Sequence, residues 1–360
     1  MISRTISSWF RPAIDAIFSR TLPWSFRWRL LALQPISLLT YSINSFPYIF
    51  SRPFKVDWLP IAPNRSLRVL VFKSTSPTGD ESRPRPLHID VHGGGFIGGL
   101  PESDAAFCAR LARETGAVVI STTYRYAPKH TFPAAIDDVD AVVAYLRQHA
   151  RQRYNADPSL MTVSGFSAGG NLALATALSV PAGEVKAAVT FYGVVDLRLS
   201  PGEKPKPTGS PAKDPLAFLQ PLFDSYGALS RAENINNPRL SPIVAEIESL
   251  PENILMVIPG IDILVHEQIT FIQRLKEEGA KDANGADRRF ETLYDEKGFH
   301  GYLEVPSSIV SQDKKDWAFG AGVKFITDTH RKYGCDVELE EQMATLVPAF
   351  EAFGKPYLGS

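Results

Sequence analysis

The chain has 360 residues, 44% hydrophobic and 21% charged, enough for a sizeable core in one large domain or two ordinary ones. Its 38 basic and 39 acidic side chains leave a net charge of −1, and no cluster of Lys and Arg restores the electrostatic footprint of a nucleic-acid binder. Two cysteines, Cys108 and Cys335, stand 227 positions apart, which excludes a disulfide framework and a thiolate metal centre.

The first fifty residues differ from the rest. Residues 1–29 carry five arginines (Arg4, Arg11, Arg20, Arg27, Arg29) and one acid, Asp15, and Leu30 to Ser51 carries no charge. The apolar stretch is long enough to span a bilayer, but Gln34, Pro35, Asn44 and Pro47 interrupt it. Three readings stay open: a helical cap packed on the domain, an interfacial anchor, and an organellar presequence. A secretory signal fits worst, so the expected location is intracellular, either cytoplasmic or peripheral to an internal membrane.

From about residue 66, short β-branched runs alternate with helical stretches. The predicted strands are Arg68–Phe72, Leu87–Val91, Ala117–Thr122, Leu160–Ser164, Lys186–Tyr192, Ile254–Pro259 and Arg289–Tyr294. A helix is predicted from Ser103, as N-cap, to a stop at Gly116. Others carry Ile136, Val139, Val143 and Leu146, or run through Ala168–Ser179. This alternation predicts an α/β fold with a mostly parallel sheet and helices on both faces. Ser200–Pro215 holds five prolines and three lysines and reads as a mobile surface insertion. Residues 335–360 form an acidic, then aromatic, tail.

Two motifs carry chemistry. In Gly165-Phe166-Ser167-Ala168-Gly169, a Gly-x-Ser-x-Gly pattern joins an apolar strand to an alanine-rich helix, as in a nucleophile elbow. There Gly165 and Gly169 permit the tight turn, and the helix N-terminus faces a developing oxyanion. His92-Gly93-Gly94-Gly95-Phe96 follows a strand 75 residues earlier, and its glycines can bring backbone N–H groups against a substrate. Gly93-x-Gly95-x-x-Gly98 also matches a dinucleotide fingerprint. That reading fails, because the next strand ends Ser121-Thr122-Thr123-Tyr124 without the acid that would hold a ribose.

These motifs, with Tyr124-Arg125-Tyr126-Ala127-Pro128-Lys129 between them, resemble the hormone-sensitive-lipase-like branch of the α/β hydrolases, over residues 66 to 333. The resemblance implies an α/β-hydrolase fold with a helical cap and a Ser–Asp–His triad, here Ser167, Asp262 and His300. It puts the oxyanion donors on the backbone of Gly94, Gly95 and Ala168. Independently, the chain order Ser, Asp, His suits this fold, and each member follows a predicted strand. His92 is expected to brace its loop. The implied division is a cap at 1–65, a hydrolase domain at 66–334 with a cap insertion at 200–241, and the tail.

Three departures stand out: Phe166 where the branch usually has an acid, Lys129 where it often has Glu, and His266 four residues after Asp262 where another acid is common. The expected activity is hydrolysis of a small or medium carboxylic ester, without metal or organic cofactor and without nucleic acid. Amide hydrolysis or acyl transfer by the same triad is the alternative, and a non-catalytic receptor a more distant one, since such receptors lack the histidine. Residues 1–50 are expected to be helical, to cap the site, and to give weak membrane association.

Overall fold

The computed structural model describes residues 7–74, 83–207, 217–280 and 287–335. Eight strands form one sheet: β1 (Lys55–Ala62), β2 (Arg65–Phe72), β3 (Arg85–Val91), β4 (Val118–Thr122), β5 (Ala156–Phe166), β6 (Val185–Phe191), β7 (Asn253–Ile261) and β8 (Arg289–Phe299), in the order β1-β2-β4-β3-β5-β6-β7-β8. The first two pairings, β1 with β2 and β2 with β4, are antiparallel; the rest are parallel. All seven predicted strands are present. The sheet starts at Lys55 rather than near residue 66, because β1 adds an edge strand that carries Pro60. Proline is tolerated there, where no ladder hydrogen bond is lost on the outer side.

The helices are α1 (Arg11–Phe18), α2 (Trp24–Ser45), α3 (Ala105–Thr115), α4 (Ala134–Tyr154), α5 (Ala168–Ala177), α6 (Gln220–Asp224), α7 (Val265–Gly279) and α8 (Gln312–Lys332). The central strands are buried on both faces, so successive residues feed opposite layers. Val69, Val71 and Ile120 join one apolar layer with Val139 and Leu172 of α4 and α5. Leu70, Phe72 and Val119 join the other with Phe107 and Leu111 of α3 and Ile326 of α8. Helix α3 stops at Gly116, whose φ of 68° is left-handed, as expected. Its start is later than predicted: Pro101–Asp104 forms a 3₁₀ turn, so Ser103 precedes the helix and its hydroxyl instead accepts from Asn44 Nδ2 at 3.0 Å.

The insertion is also less exposed than its composition suggests. Lys204 is buried, ion-paired with Glu267, and donates to the Asp196 carbonyl at 2.7 Å. A lysine can be buried when a carboxylate and a carbonyl replace its water. Residues 208–216 and the tail from 336 lie outside the described residues.

Candidate active site

Each strand of the parallel core ends at the same sheet edge, where α/β folds build their sites. Ser167 follows β5 directly, with φ 51° and ψ −117°. A side chain in this sparsely populated region costs about 1–3 kcal/mol. The turn is held by bonds from Ser167 N–H to Phe191 O (2.9 Å), and from the N–H groups of Gly170 (3.0 Å) and Val194 (3.2 Å) to Ser167 O. Gly169 meets the end of β3: a Cβ there would lie 1.8 Å from Val91 O. The elbow and the glycine loop are therefore pressed together backbone on backbone.

Asp262 follows β7 and His300 follows β8. Ser167 Oγ lies 2.8 Å from His300 Nε2, and His300 Nδ1 lies 2.8 Å from Asp262 Oδ2. Asp262 is buried, and its other oxygen accepts from Leu264 N–H at 3.0 Å, so the carboxylate is fixed at both ends. This contact assigns the Nδ1 proton to the Asp262 side and leaves the Nε2 lone pair for the serine hydroxyl. The His300 side chain keeps 40% of its surface exposed, while its inner edge is packed against Asp262 and Tyr192. Burial works against its charge, but the adjacent Asp262 carboxylate, helped by Glu304, outweighs that and holds its pKa above the ordinary histidine value.

Gly94 has φ 121° and Gly95 φ 60°. Among the described residues, the N–H groups of Gly94, Gly95 and Ala168 have no hydrogen-bond acceptor. His92 is buried, donates from Nδ1 to Gly93 O at 2.6 Å and stacks on Tyr124 at 4.7 Å. Burial pushes its pKa down to about 4, so it is a neutral brace for the loop.

Two of the three departures find partners. Phe166 points into an aromatic cluster, stacked on Phe191 at 4.3 Å. Lys129 pairs with Asp15 of α1 at 3.1 Å. His266 is exposed, while the next residue, Glu267, accepts from Val195 and Asp196 N–H at 2.9 and 3.1 Å. The sequence reading missed Glu304, whose Oε1 lies against the glycine loop, 3.4 Å from where a Gly93 Cβ would stand.

Segment 217–226 covers the loop from above. Tyr226 stacks on Phe96 at 4.2 Å, and Phe223 abuts Gly95. Helix α2 holds this segment through Trp28 stacked on Phe218 (6.3 Å) and Arg29 Nε donating to Phe218 O (2.8 Å). Tyr41 Oη of α2 also accepts from Gly99 N–H at 3.0 Å. Among the described residues, no group of three or more His, Cys, Asp or Glu side chains is placed to hold a metal ion.

A family described as having the alpha/beta hydrolase fold matches residues 88–302, more than half the chain. The chain belongs to the α/β-hydrolase family. The resemblance to its hormone-sensitive-lipase-like branch stands with that assignment. Arylacetamide deacetylase of Oryctolagus cuniculus is 31% identical over 170 residues, 43% of each chain. An acetyl esterase of Salmonella paratyphi B is 34% identical over 164 residues, 42% of this chain and 49% of the relative. The chain thus spans less than half the length of either relative. A hyperthermophilic esterase from Pyrobaculum calidifontis has the same fold, with a TM-score of 0.63 at 24% identity, over 83% of this chain and 92% of that one.

Proposed function

We propose that this α/β hydrolase is a serine carboxylester hydrolase acting on small or medium acyl esters. The observation that carries this reading is the relay from Ser167 Oγ through His300 to Asp262, with contacts of 2.8 Å at each step. Ser167 attacks the acyl carbonyl while His300 Nε2 takes its proton; Asp262 holds the imidazole and stabilises its charged form. The negative oxygen of the tetrahedral intermediate is received by the free amides of Gly94, Gly95 and Ala168. Its collapse expels the alcohol, which takes the proton back from His300. A water activated by the same imidazole then attacks the acyl-serine and releases the acid.

The relative named arylacetamide deacetylase favours a second reading, amide hydrolysis by the same groups. The test is a panel of p-nitrophenyl esters from acetyl to palmitoyl, run beside an acetanilide, with the native chain and Ser167→Ala. Turnover of the shorter esters that the alanine variant loses by about 10⁴-fold or more supports the proposal. Hydrolysis retained in that variant sinks the nucleophile assignment, and a preference for the acetanilide replaces the ester reading by the amide one.

A further inference from the structure

The N-terminal helices bury one side and leave an apolar face bare. Along α2, the buried Leu30, Leu33, Ser37 and Tyr41 recur at three- and four-residue spacing. Trp24, Leu31, Leu39 and Ile43, at intervals of seven, eight and four residues, stand on the other side and are exposed, Leu39 by 64%. The stripe runs on past the helix through Phe46 and Ile49 to Phe50, which is 91% exposed. A helix that is apolar on two faces belongs between two apolar surroundings, and the described residues supply only one of them.

The charges of this segment are nearly all of one sign. The first 54 residues hold six arginines and a single acid, Asp15, in a chain whose net charge is −1. Asp15 is buried and engaged by Arg11 and Lys129. Arg27 donates to the carbonyls of Leu22 and Ser19, Arg29 to those of Ser25 and Phe218, and Arg52 to that of Tyr48, none of them to a carboxylate. Arg20 is exposed, with no ion pair among the described residues.

We propose that this face docks on an anionic lipid bilayer, with the stripe in the headgroup–acyl boundary and the arginines at lipid phosphates. Apolar residues beside unpaired arginines, with no free acid, match that surface in both chemistry and sign. A second copy of the chain fits worse, because joining two such faces sets arginines against arginines with no carboxylate between them. The contact lies on the surface: among the described residues no helix is long and apolar enough to cross a membrane. The buried Gln34 amide accepts from Ala13 N–H and donates to the Trp9 carbonyl, which pins α2 against the segment before it.

The test is flotation of the full chain with vesicles of phosphatidylcholine alone or mixed with phosphatidylglycerol. Binding to the mixed vesicles should exceed binding to the neutral ones by about tenfold and be reversed by high salt. The triple variant Leu39→Glu, Ile43→Glu, Phe50→Glu should abolish it while hydrolysing p-nitrophenyl acetate as the native chain does. Should that variant misfold, Arg20→Glu with Arg52→Glu carries the same test, with selective loss on the mixed vesicles. Ser167→Ala should float normally, so docking and hydrolysis are judged apart. Absence of flotation, equal binding to both vesicles, or undiminished binding by the variants overturns the proposal. So does a dimer in light scattering that the triple variant splits, which assigns the face to a second copy.

Discussion

The Tyr192 hydroxyl donates to Glu304 Oε1 at 3.1 Å, while its ring stands edge-on to the His300 imidazole at 5.3 Å. One side chain thus ties a second carboxylate to the triad. Tyr192 follows β6 with a φ of 42°, a conformation rare for a bulky residue, and its own N–H is held by Val257 O at 2.9 Å. Burial raises the Glu304 pKa, against the Tyr192 hydrogen bond and the His300 charge, which lower it. Its negative charge in turn favours protonated His300.

Glu304→Gln should therefore move the acid limb of the pH–rate profile to lower pH. His300 must be neutral to act as base, and its pKa is raised, so the native enzyme should lose activity as pH falls through a value above the usual 6.5. Glutamine can still accept from Tyr192 but removes a charge that holds the pKa up. The plateau rate should stay within a few-fold. A kcat/KM profile for p-nitrophenyl acetate whose limb stays put or moves up would show that Glu304 is only packing.

Asp262→Asn tests the imidazole's orientation. An amide presents either an oxygen or an NH₂ to Nδ1, and the NH₂ alternative stabilises the wrong tautomer. The expected loss is on the order of 10²–10⁴ in kcat with little change in KM. Equal losses in Asp262→Asn and Asp262→Ala would point to tautomer and charge; near-native activity in either would remove Asp262 from the triad.

Gly169→Ala asks whether the elbow and the glycine loop are one unit. The new Cβ would stand 1.8 Å from Val91 O and 2.6 Å from His92 O, both backbone atoms that cannot swing away. Overpacking of this kind costs about 3 kcal/mol or more. Chemical denaturation should show that loss, and the folded fraction should have a depressed kcat because the loop carrying Gly94 and Gly95 has shifted.

Beneath the elbow, a buried hydrogen-bond chain links β3 and β5. His88 Nδ1 is 2.8 Å from Thr162 Oγ1, His88 Nε2 is 2.8 Å from Ser164 Oγ, and Ser164 donates to Asp90 Oδ1 at 2.7 Å. Ser164→Ala leaves one group of His88 and one of Asp90 without these partners, which should cost about 3 kcal/mol by urea unfolding. Burial pushes Asp90 up to about 6, in spite of hydrogen bonds from Ser164 and Ser121. A raised carboxyl contributes stability below its unfolded value near 4 and loses it as pH rises toward 6. Asp90→Asn should flatten the stability curve in that window; an unchanged slope between pH 4 and 6 would place the titration elsewhere.

The parts of the site that were legible in the sequence are those encoded by turn geometry. Ser167 lies between glycines that a close backbone approach demands, and Asp262 and His300 directly follow strands whose β-branched runs could be read. Glu304 could not be read this way. It lies past the His300 loop, and only the fold brings it under Gly93 and beside Tyr192. β1 was missed because Pro60 and an edge position blur strand alternation, and Lys204 was misread because composition cannot show that Glu267 waits for it. The exchange at Lys129 is intelligible only with its partner: Asp15, the lone acid of the N-terminal segment, is 114 positions away.

The same N-terminal segment braces the wall above the glycine loop. Phe223 stands against Gly95 and Tyr226 against Phe96, so segment 217–226 shapes the space above the oxyanion donors. Its outer side is held by α2 through the Trp28–Phe218 stack and the Arg29 hydrogen bond. An acetyl group needs little of this wall, whereas each added methylene gains about 0.8 kcal/mol only where an apolar surface meets it. Trp28→Ala with Phe218→Ala should therefore leave acetate hydrolysis near native and raise KM increasingly from butyrate to octanoate. Deleting α1 and α2 outright would be less informative, since Leu30, Leu33 and Tyr41 are buried against the domain. If the double variant loses acetate and octanoate activity in equal proportion, the N-terminal helices support the fold but do not form the acyl wall.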